Sequence, residues 1–595
     1  MGASERRGRV VLMEMRGHAE NIGRNGKRRV RTSAAHPAQD PCAQARTLTR
    51  RSAIAGAAGA ALASTACALG ATSGSGAAPS SAAATGLRAS LPGAPGVALA
   101  SGKDSVVITH GGDPLSWCPD VSADDNAYHI VQNMFHRLGK LDTNLEVIPD
   151  AAESWDVADD AMSVTFHLRH DLFWSDGEPL TSADVVYTYE TIKASERYYL
   201  RSRLEGVESF EAPDDYTVIF HMSAPNMAIL GTVSWYACFI LPKHVYDVEG
   251  VTWEDNEAAK LGGTPVTSGP YTLESYVQGQ SITLSANESY YQVPAIKKLI
   301  YTIISDPATQ VQAIQNAETD VLEEVPSANV ATLQADPSLR MTLIQAATPN
   351  RLVFNVTRTD KHLDDPAVRQ AIAMCVDRDA ISQKAYGGVM PPETHYYPSL
   401  LAAYSNDVDV APAFDPQGAR SVLEQAGYAA DADGNYITGL TIDAYAQQGN
   451  DQAAKLIAAD MAKAGLPCEV IISEMNAFTD KITKQRDFYL EIQNGFLGPD
   501  PYALKNRLGT GAPSNYGSYS NPAFDELTEQ ANATADDAKR AELYKQAQRE
   551  LSLDIPYAPI VGYAAYTAYA AELKDTPGDG AGRWGGQEWA YASWA

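Results

Sequence analysis

Phe173-Trp174-Ser175-Asp176-Gly177-Glu178-Pro179-Leu180-Thr181-Ser182-Ala183-Asp184-Val185 is the most informative stretch of this chain. Its middle, Asp176-Gly177-Glu178-Pro179, reads as a turn: the glycine relieves the backbone and the proline fixes the exit. Thr181 then stands where a helix N-cap belongs, and Asp184 falls in the first turn, where the helix dipole favours an acid. A helix is therefore predicted from Thr181 to Ala194. Just upstream, Val164-Thr165-Phe166-His167-Leu168-Arg169 alternates as a half-buried strand does. These turn and cap residues are scaffold, and no ligand contact is assigned to them.

The same alternation of strand and helix extends in both directions. Ser105-Val106-Val107-Ile108-Thr109-His110 is a strand by its β-branched content, and Ser281–Leu284 and Leu299–Ile304 are further strands. Asp306 to Glu318 is an amphipathic helix opening on Asp-Pro. Asp365–Ala373, Asp451–Ala464 and Asp536–Leu553 also read as helices, and no internal repeat is visible. Interleaved strands and helices predict an α/β fold, and 595 residues exceed what one core can organise, so at least two lobes are expected.

Charge excludes one class of partner. Residues 1–51 hold twelve Lys/Arg against four Asp/Glu, so the net −27 of the whole chain leaves −35 for the rest. A body that acidic repels phosphate backbones, and no nucleic-acid partner is expected. No GxSxG elbow, HExxH or P-loop is present, so no catalytic residue is nominated and no enzyme activity is expected. His167 and His170 straddle a strand end and read as partly exposed histidines; no metal site and no cofactor is expected. Cys118, Cys238, Cys375 and Cys468 are far apart in sequence, which leaves one or two disulfides or buried free thiols as alternatives.

The N-terminus reads as an address. Thr49-Arg50-Arg51-Ser52-Ala53-Ile54 sets two arginines before a mildly apolar Ala/Gly-rich run, Ile54 to Leu69, too short to remain in a bilayer as a helix. It resembles a Tat export signal, an ordinary Sec signal being the alternative. Cys67 follows small residues and is the expected lipidation site, although Ser64 stands where a Leu-like residue is usual; cleavage at a nearby small-x-small site is the alternative. Ala68–Ser101, rich in Ala, Gly, Ser and Pro, is expected to be a flexible tether.

Taken together, these segments resemble family five extracellular solute-binding proteins, which serve ABC importers of oligopeptides, dipeptides or nickel. The match runs from Ile148-Pro149-Asp150-Ala151-Ala152-Glu153-Ser154-Trp155 through the 173–185 stretch to Ser268-Gly269-Pro270-Tyr271 and Asp306-Pro307. It continues in Phe354-Asn355, Val368-Arg369-Gln370-Ala371-Ile372, Asn515-Tyr516, Asn521-Pro522-Ala523-Phe524-Asp525 and Arg540-Ala541-Glu542-Leu543-Tyr544, covering about 104–565. The resemblance implies a two-lobed periplasmic-binding-protein-like clamp of type II, with an extra subdomain on lobe one. It implies lobe one from 104–145, 265–350 and 556–595, the subdomain from 146–264, and lobe two from 351–555, behind a signal at 1–67 and a tether at 68–103. It also implies an exported monomer that hands a peptide or other small-molecule ligand to an ABC permease and its ATPase, touching the membrane only through a lipid anchor. Binding of a non-peptide solute such as an oligosaccharide, or a role as a peptide-sensing surface receptor, are the alternatives.

The resemblance also nominates a site. In peptide-binding members, an aspartate three residues before an Asp-Pro pairs with the ligand's α-amino group. Here that loop is Asn494-Gly495-Phe496-Leu497-Gly498-Pro499-Asp500-Pro501, with Leu497 at the aspartate position and Asn494 at a family tryptophan. A leucine cannot neutralise a buried ammonium. Either Asp500 takes over, or the peptide is held differently, or the solute is not a peptide. Asn494, Gly495, Phe496, Leu497, Asn515 and Tyr516 are the expected pocket residues on this pattern, with Tyr128 and Tyr397 added from aromatic placement.

Overall fold

The computed structural model describes residues 104–595, apart from 122–123, 143–144, 196–198, 205, 236–237, 402, 406–410, 446–448, 496–497, 499 and 581–588. The predicted export signal, Cys67 and the tether therefore lie outside the described residues.

Ten strands make one mixed sheet, in the order Cys468–Ser473, Leu440–Tyr445, Leu490–Gln493, Leu339–Phe354, Tyr557–Ala570, Val321–Val325, Ser105–His110, Lys298–Ile303, Ser281–Ala286 and Tyr271–Val277. The two central strands are the longest, at 16 and 14 residues, and pair antiparallel from Leu339 opposite Ala570 to Val353 opposite Tyr557. They join two half-sheets, one built from segments before residue 326 and one from segments between 440 and 493. Their register slips between Ala346 and Arg351. Pro349 lies inside that slip and has no N–H to give a ladder, so the pair is weakest midway between the half-sheets.

A separate four-stranded antiparallel sheet, Ala152–Val157, Ser163–Leu168, Thr217–Met222 and Val207–Asp214 in spatial order, carries the signature stretch beside it. There Gly177 sits at φ +97°, which a residue with a Cβ resists, and the Trp174 N–H donates to Glu178 O across the turn at 2.8 Å. The helix Ser182–Ala194 follows, with Thr181 as N-cap. Asp184 is buried and used twice: its Oδ2 accepts the Thr181 N–H at 2.9 Å and its Oδ1 accepts the Lys243 N–H at 2.8 Å.

Apolar burial is partitioned as the sheet is. One core gathers Ile108, Val131, Leu284 and Tyr301 from the first half-sheet with Phe166, Trp174 and Phe220 of the four-stranded sheet. Another gathers Phe354, Ile372, Ile442, Ile457, Ile492 and Ile560. Each fully buried side chain of this size contributes roughly 1.5–3 kcal/mol. A third, aromatic cluster joins Tyr396, Tyr397, Phe524, Tyr544 and Tyr557. The strand Tyr557–Ala570 passes from one side to the other, giving Ile560 and Val561 to the second core and Tyr569 to the first.

The predicted elements are present, with small shifts at their ends. The helix expected over Asp306–Glu318 runs Pro307–Gln315, because Ala317 turns left-handed at φ +54°. Cys118, Cys238, Cys375 and Cys468 are all free thiols, so of the two alternatives the disulfides are not formed. Burial pushes the Cys375 thiol up to about 12, which leaves it unreactive at neutral pH.

Candidate functional site

Two cavities flank the crossing strands, one on each side of the register slip. The larger, of about 350 Å³, is lined by His110, His129, Glu323, Glu324, Ile344 and Thr567 among others. His110 is the last residue of Ser105–His110, which runs parallel to both Lys298–Ile303 and Val321–Val325. The cavity thus lies beyond the carboxyl ends of parallel strands, where open α/β sheets place ligands.

Its wall is acidic. His129 Nδ1 lies 3.1 Å from Glu323 Oε1, and His110 Nδ1 lies 3.7 Å from Glu323 Oε2. Burial alone would raise the Glu323 carboxyl; His129 and His110 reverse that and hold it well below the usual carboxylate range. Beside it, the Tyr563 hydroxyl donates to Glu324 Oε1 at 2.9 Å. Asp125 completes three carboxylates on one cavity.

The smaller cavity, of about 20 Å³, is lined by Arg351, Gln493, Arg507, Asn515, Tyr516 and Tyr557, with others. It adjoins the loop that the sequence nominated. Asn494 accepts the Tyr445 hydroxyl on its Oδ1 at 2.8 Å. Gly495 faces two guanidiniums: a Cβ there would lie 2.7 Å from Arg507 Nη2 and 3.4 Å from Arg351 Nη2. Phe496 and Leu497 lie outside the described residues. Tyr516 and Asn515 both line this cavity, but the Asn515 side chain is committed to its own loop. Its Nδ2 donates to Gly509 O at 2.9 Å and Tyr519 O at 2.7 Å, and its Oδ1 accepts the Tyr519 N–H.

Three readings need correction. Tyr397 is 0% exposed and packs edge-on against Tyr544 inside the aromatic cluster. Tyr128 is 3% exposed and stacks on Phe239 in the first core. Neither lines either cavity; their apolar faces were worth more inside than at a wet site. Asp500 cannot stand in for the missing aspartate, because its Oδ2 accepts Arg540 Nη2 at 2.6 Å and its Oδ1 accepts the Tyr502 N–H at 2.8 Å.

Sequence reading passed over the charged residues of both cavities. Arg351 is 2% exposed and Glu491 is 0% exposed, and each sits in a buried stretch of its strand, Arg351 before Leu352-Val353-Phe354 and Glu491 between Leu490 and Ile492. A charge in a buried strand is the signal that could have found them, since such residues are almost never fully buried without a purpose. Burial lowers the Arg351 guanidinium, with Arg507 adding to the effect, and burial raises the Glu491 carboxyl against the pull of both arginines. Among the described residues, no group of three or more His, Cys, Asp or Glu side chains could hold a metal ion.

The family model for bacterial extracellular solute-binding proteins, family 5 middle region, matches residues 146–516, more than half of the chain. The chain belongs to the family 5 bacterial extracellular solute-binding proteins. Within this family it is 28% identical to the dipeptide-binding protein of Escherichia coli K12 over 461 residues, covering 72% of this chain and 83% of that relative. It is 25% identical to di/tripeptide-binding protein 1 of Pseudomonas aeruginosa UCBPP-PA14 over 502 residues, covering 78% and 89%. The periplasmic binding protein DppA of Helicobacter pylori, solved with the peptide STSA, superposes with a TM-score of 0.68 at 23% identity, covering 82% of this chain and 98% of that one. That last likeness carries the fold: a two-lobed α/β clamp. A family 5 protein of this kind binds solute outside the cytoplasm for an ABC transporter. No helix among the described residues is long and apolar enough to cross a membrane.

Proposed function

We propose that this family 5 protein captures short peptides outside the cytoplasm, by closing its two lobes, and delivers them to an ABC permease with its ATPase. The observation that carries this reading is the placement of a 350 Å³ cavity at the crossing strands, in a chain related along most of its length to di- and tripeptide-binding proteins. That volume falls in the roughly 300–1,000 Å³ range of small-ligand sites. The slip around Pro349 supplies a place where the crossing strands can bend as the lobes close.

In this reading the two cavities are halves of one site. Asn494, Gly495, Phe496, Leu497, Asn515 and Tyr516 are the lobe-two residues proposed to meet the solute, and the lining of the smaller cavity by Asn515 and Tyr516 supports this. Lobe one comprises 104–145, 265–350 and 556–595, its subdomain 146–264, and lobe two 351–555; the split of the sheet and of the two main cores supports that division. The protein works as a monomer, exported through the Arg50-Arg51 signal, anchored by lipid on Cys67 and held off the membrane by the 68–103 tether. The charge and composition of those segments support this part.

The test is mass spectrometry of what the gently purified full chain carries. Denaturation should release a ladder of short peptides. A single sugar-like or other non-peptide mass would overturn the peptide reading.

A further inference from the structure

The larger cavity offers hydrogen-bonding capacity that the fold leaves unused. His110 lines it and is 2% exposed, and neither of its ring nitrogens has a hydrogen-bond partner. The residue ends the strand Ser105–His110, paired along its whole length with Lys298–Ile303, and Tyr301 packs edge-on against its ring at 5.6 Å. The imidazole is thus fixed in place at the cavity wall. A buried polar atom left without a partner is unfavourable, and such an atom facing a cavity invites a polar occupant. Glu323 comes close without closing the gap: its Oε2 stands 3.7 Å from His110 Nδ1, beyond ordinary hydrogen-bond length.

The lining sets the sign of that occupant. Asp125, Glu323 and Glu324 line the cavity, and no Lys or Arg does. Asp125 opens the helix Asp125–Val131 and is exposed, so its carboxylate lies where the cavity meets solvent. Tyr569 and Trp589, also in the lining, meet edge to face with ring centres 6.3 Å apart. Carboxylates and aromatic rings together attract a cation and repel an anion. Arg340 lies 4.8 Å over the Tyr569 ring but outside the lining, and donates to the Thr342 and Thr576 hydroxyls. Among the described residues no group of three or more His, Cys, Asp or Glu side chains could hold a metal ion, so the wall suits a cation that donates hydrogen bonds. About 350 Å³ leaves room for an alkylammonium group with the chain that carries it.

We infer that the larger cavity receives a protonated amine of the solute, its N–H groups shared between the Glu323 carboxylate and the His110 ring. The inference rests on the solute-capture reading above and names the chemical group that this wall recognises. An ammonium carries donors and no acceptor, while a neutral imidazole keeps one ring nitrogen free to accept. One N–H entering the 3.7 Å gap supplies the contact that His110 and Glu323 Oε2 do not make with each other. The α-amino end of a peptide and a basic side chain present the same group.

Calorimetry on the full chain, stripped of bound solute, tests this with two pairs of probes. Trialanine is compared with N-acetyl-trialanine, and Ala-Lys-Ala with the same peptide carrying norleucine for lysine. A preference of roughly tenfold to a hundredfold within the first pair would assign the cavity to the α-amino end, and within the second to a basic side chain, as expected for one charged hydrogen-bonded contact. Equal binding within both pairs would overturn the inference. The preference should fall below about threefold in Glu323→Gln, and in part in His110→Phe, which keeps a ring and removes its nitrogens. Loss in either variant supports the assignment, whereas a preference intact in both would place the amine elsewhere and overturn it. If no peptide binds, the peptide reading fails by itself, and cadaverine decides the cavity. At about 10 mM it should raise the melting temperature of the parent, with no rise from the matching diol and none in Glu323→Gln. Equal effects of diamine and diol, or of cadaverine on parent and variant, would overturn the inference.

Discussion

The two cavities beside the crossing strands are built with opposite charge logic. The first-lobe wall sets carboxylates against histidines, so Glu323 has its counter-charges within the fold: His129 Nδ1 stands 3.1 Å away. The second-lobe pocket brings the guanidiniums of Arg351 and Arg507 to one wall, and Arg351 is buried with its terminal nitrogens unpartnered. Each wall keeps buried polar atoms without a hydrogen-bond partner, the His110 ring nitrogens in the first and the Arg351 terminal nitrogens in the second. The walls differ in the charge they present, acidic in the first and cationic in the second, and that is the difference a solute with unlike ends can read.

The contrast can be broken at its support. Arg540 and Asp500 are 6% and 15% exposed and fix the loop that carries Gly495. Arg540→Ala should cost about 3–5 kcal/mol, the usual penalty for orphaning one member of a buried pair, read as a lower urea midpoint. It should also weaken second-lobe recognition while leaving the first-lobe wall intact.

Acid should act on the other side. The Glu323 carboxyl is depressed in the folded state, so the stability it contributes is present above the ordinary carboxylate range and is lost as pH falls through that range and below it. Glu323→Gln should remove roughly 1–3 kcal/mol of that acid-sensitive stability. Melting curves from pH 7 down to pH 3 should therefore be flatter for the variant than for the parent.

A smaller effect sharpens the comparison within the loop. Tyr445→Phe removes the bond to Asn494 Oδ1, and should cost about 0.5–1.5 kcal/mol in stability. Gly495→Ala should leave the melting temperature within about a degree, because the nearest atom is the end of a flexible arginine. Its loss should be in peptide affinity, read by calorimetry.

Much of the fold was legible because its signals are local. The turn at Gly177, the cap at Thr181 and the Asp-Pro helix start at Asp306 each declare themselves within a few residues. The site was legible only in part. Asn515 and Tyr516 line the smaller cavity, but what gives it character comes from Arg351 and Arg507, which sheet register and loop closure bring together from distant segments. Tyr128 and Tyr397 were misplaced because an isolated tyrosine carries no periodic mark distinguishing core from pocket.

Hydrogen exchange on the full chain, with and without an equimolar mixture of short peptides, tests most directly whether the two cavities are halves of one site. Exchange should slow together around His110–His129, around Val321–Val325, and around Arg507–Tyr516. Slowing at one cavity alone, with the other unchanged at saturation, would contradict a clamp that closes both around a single solute.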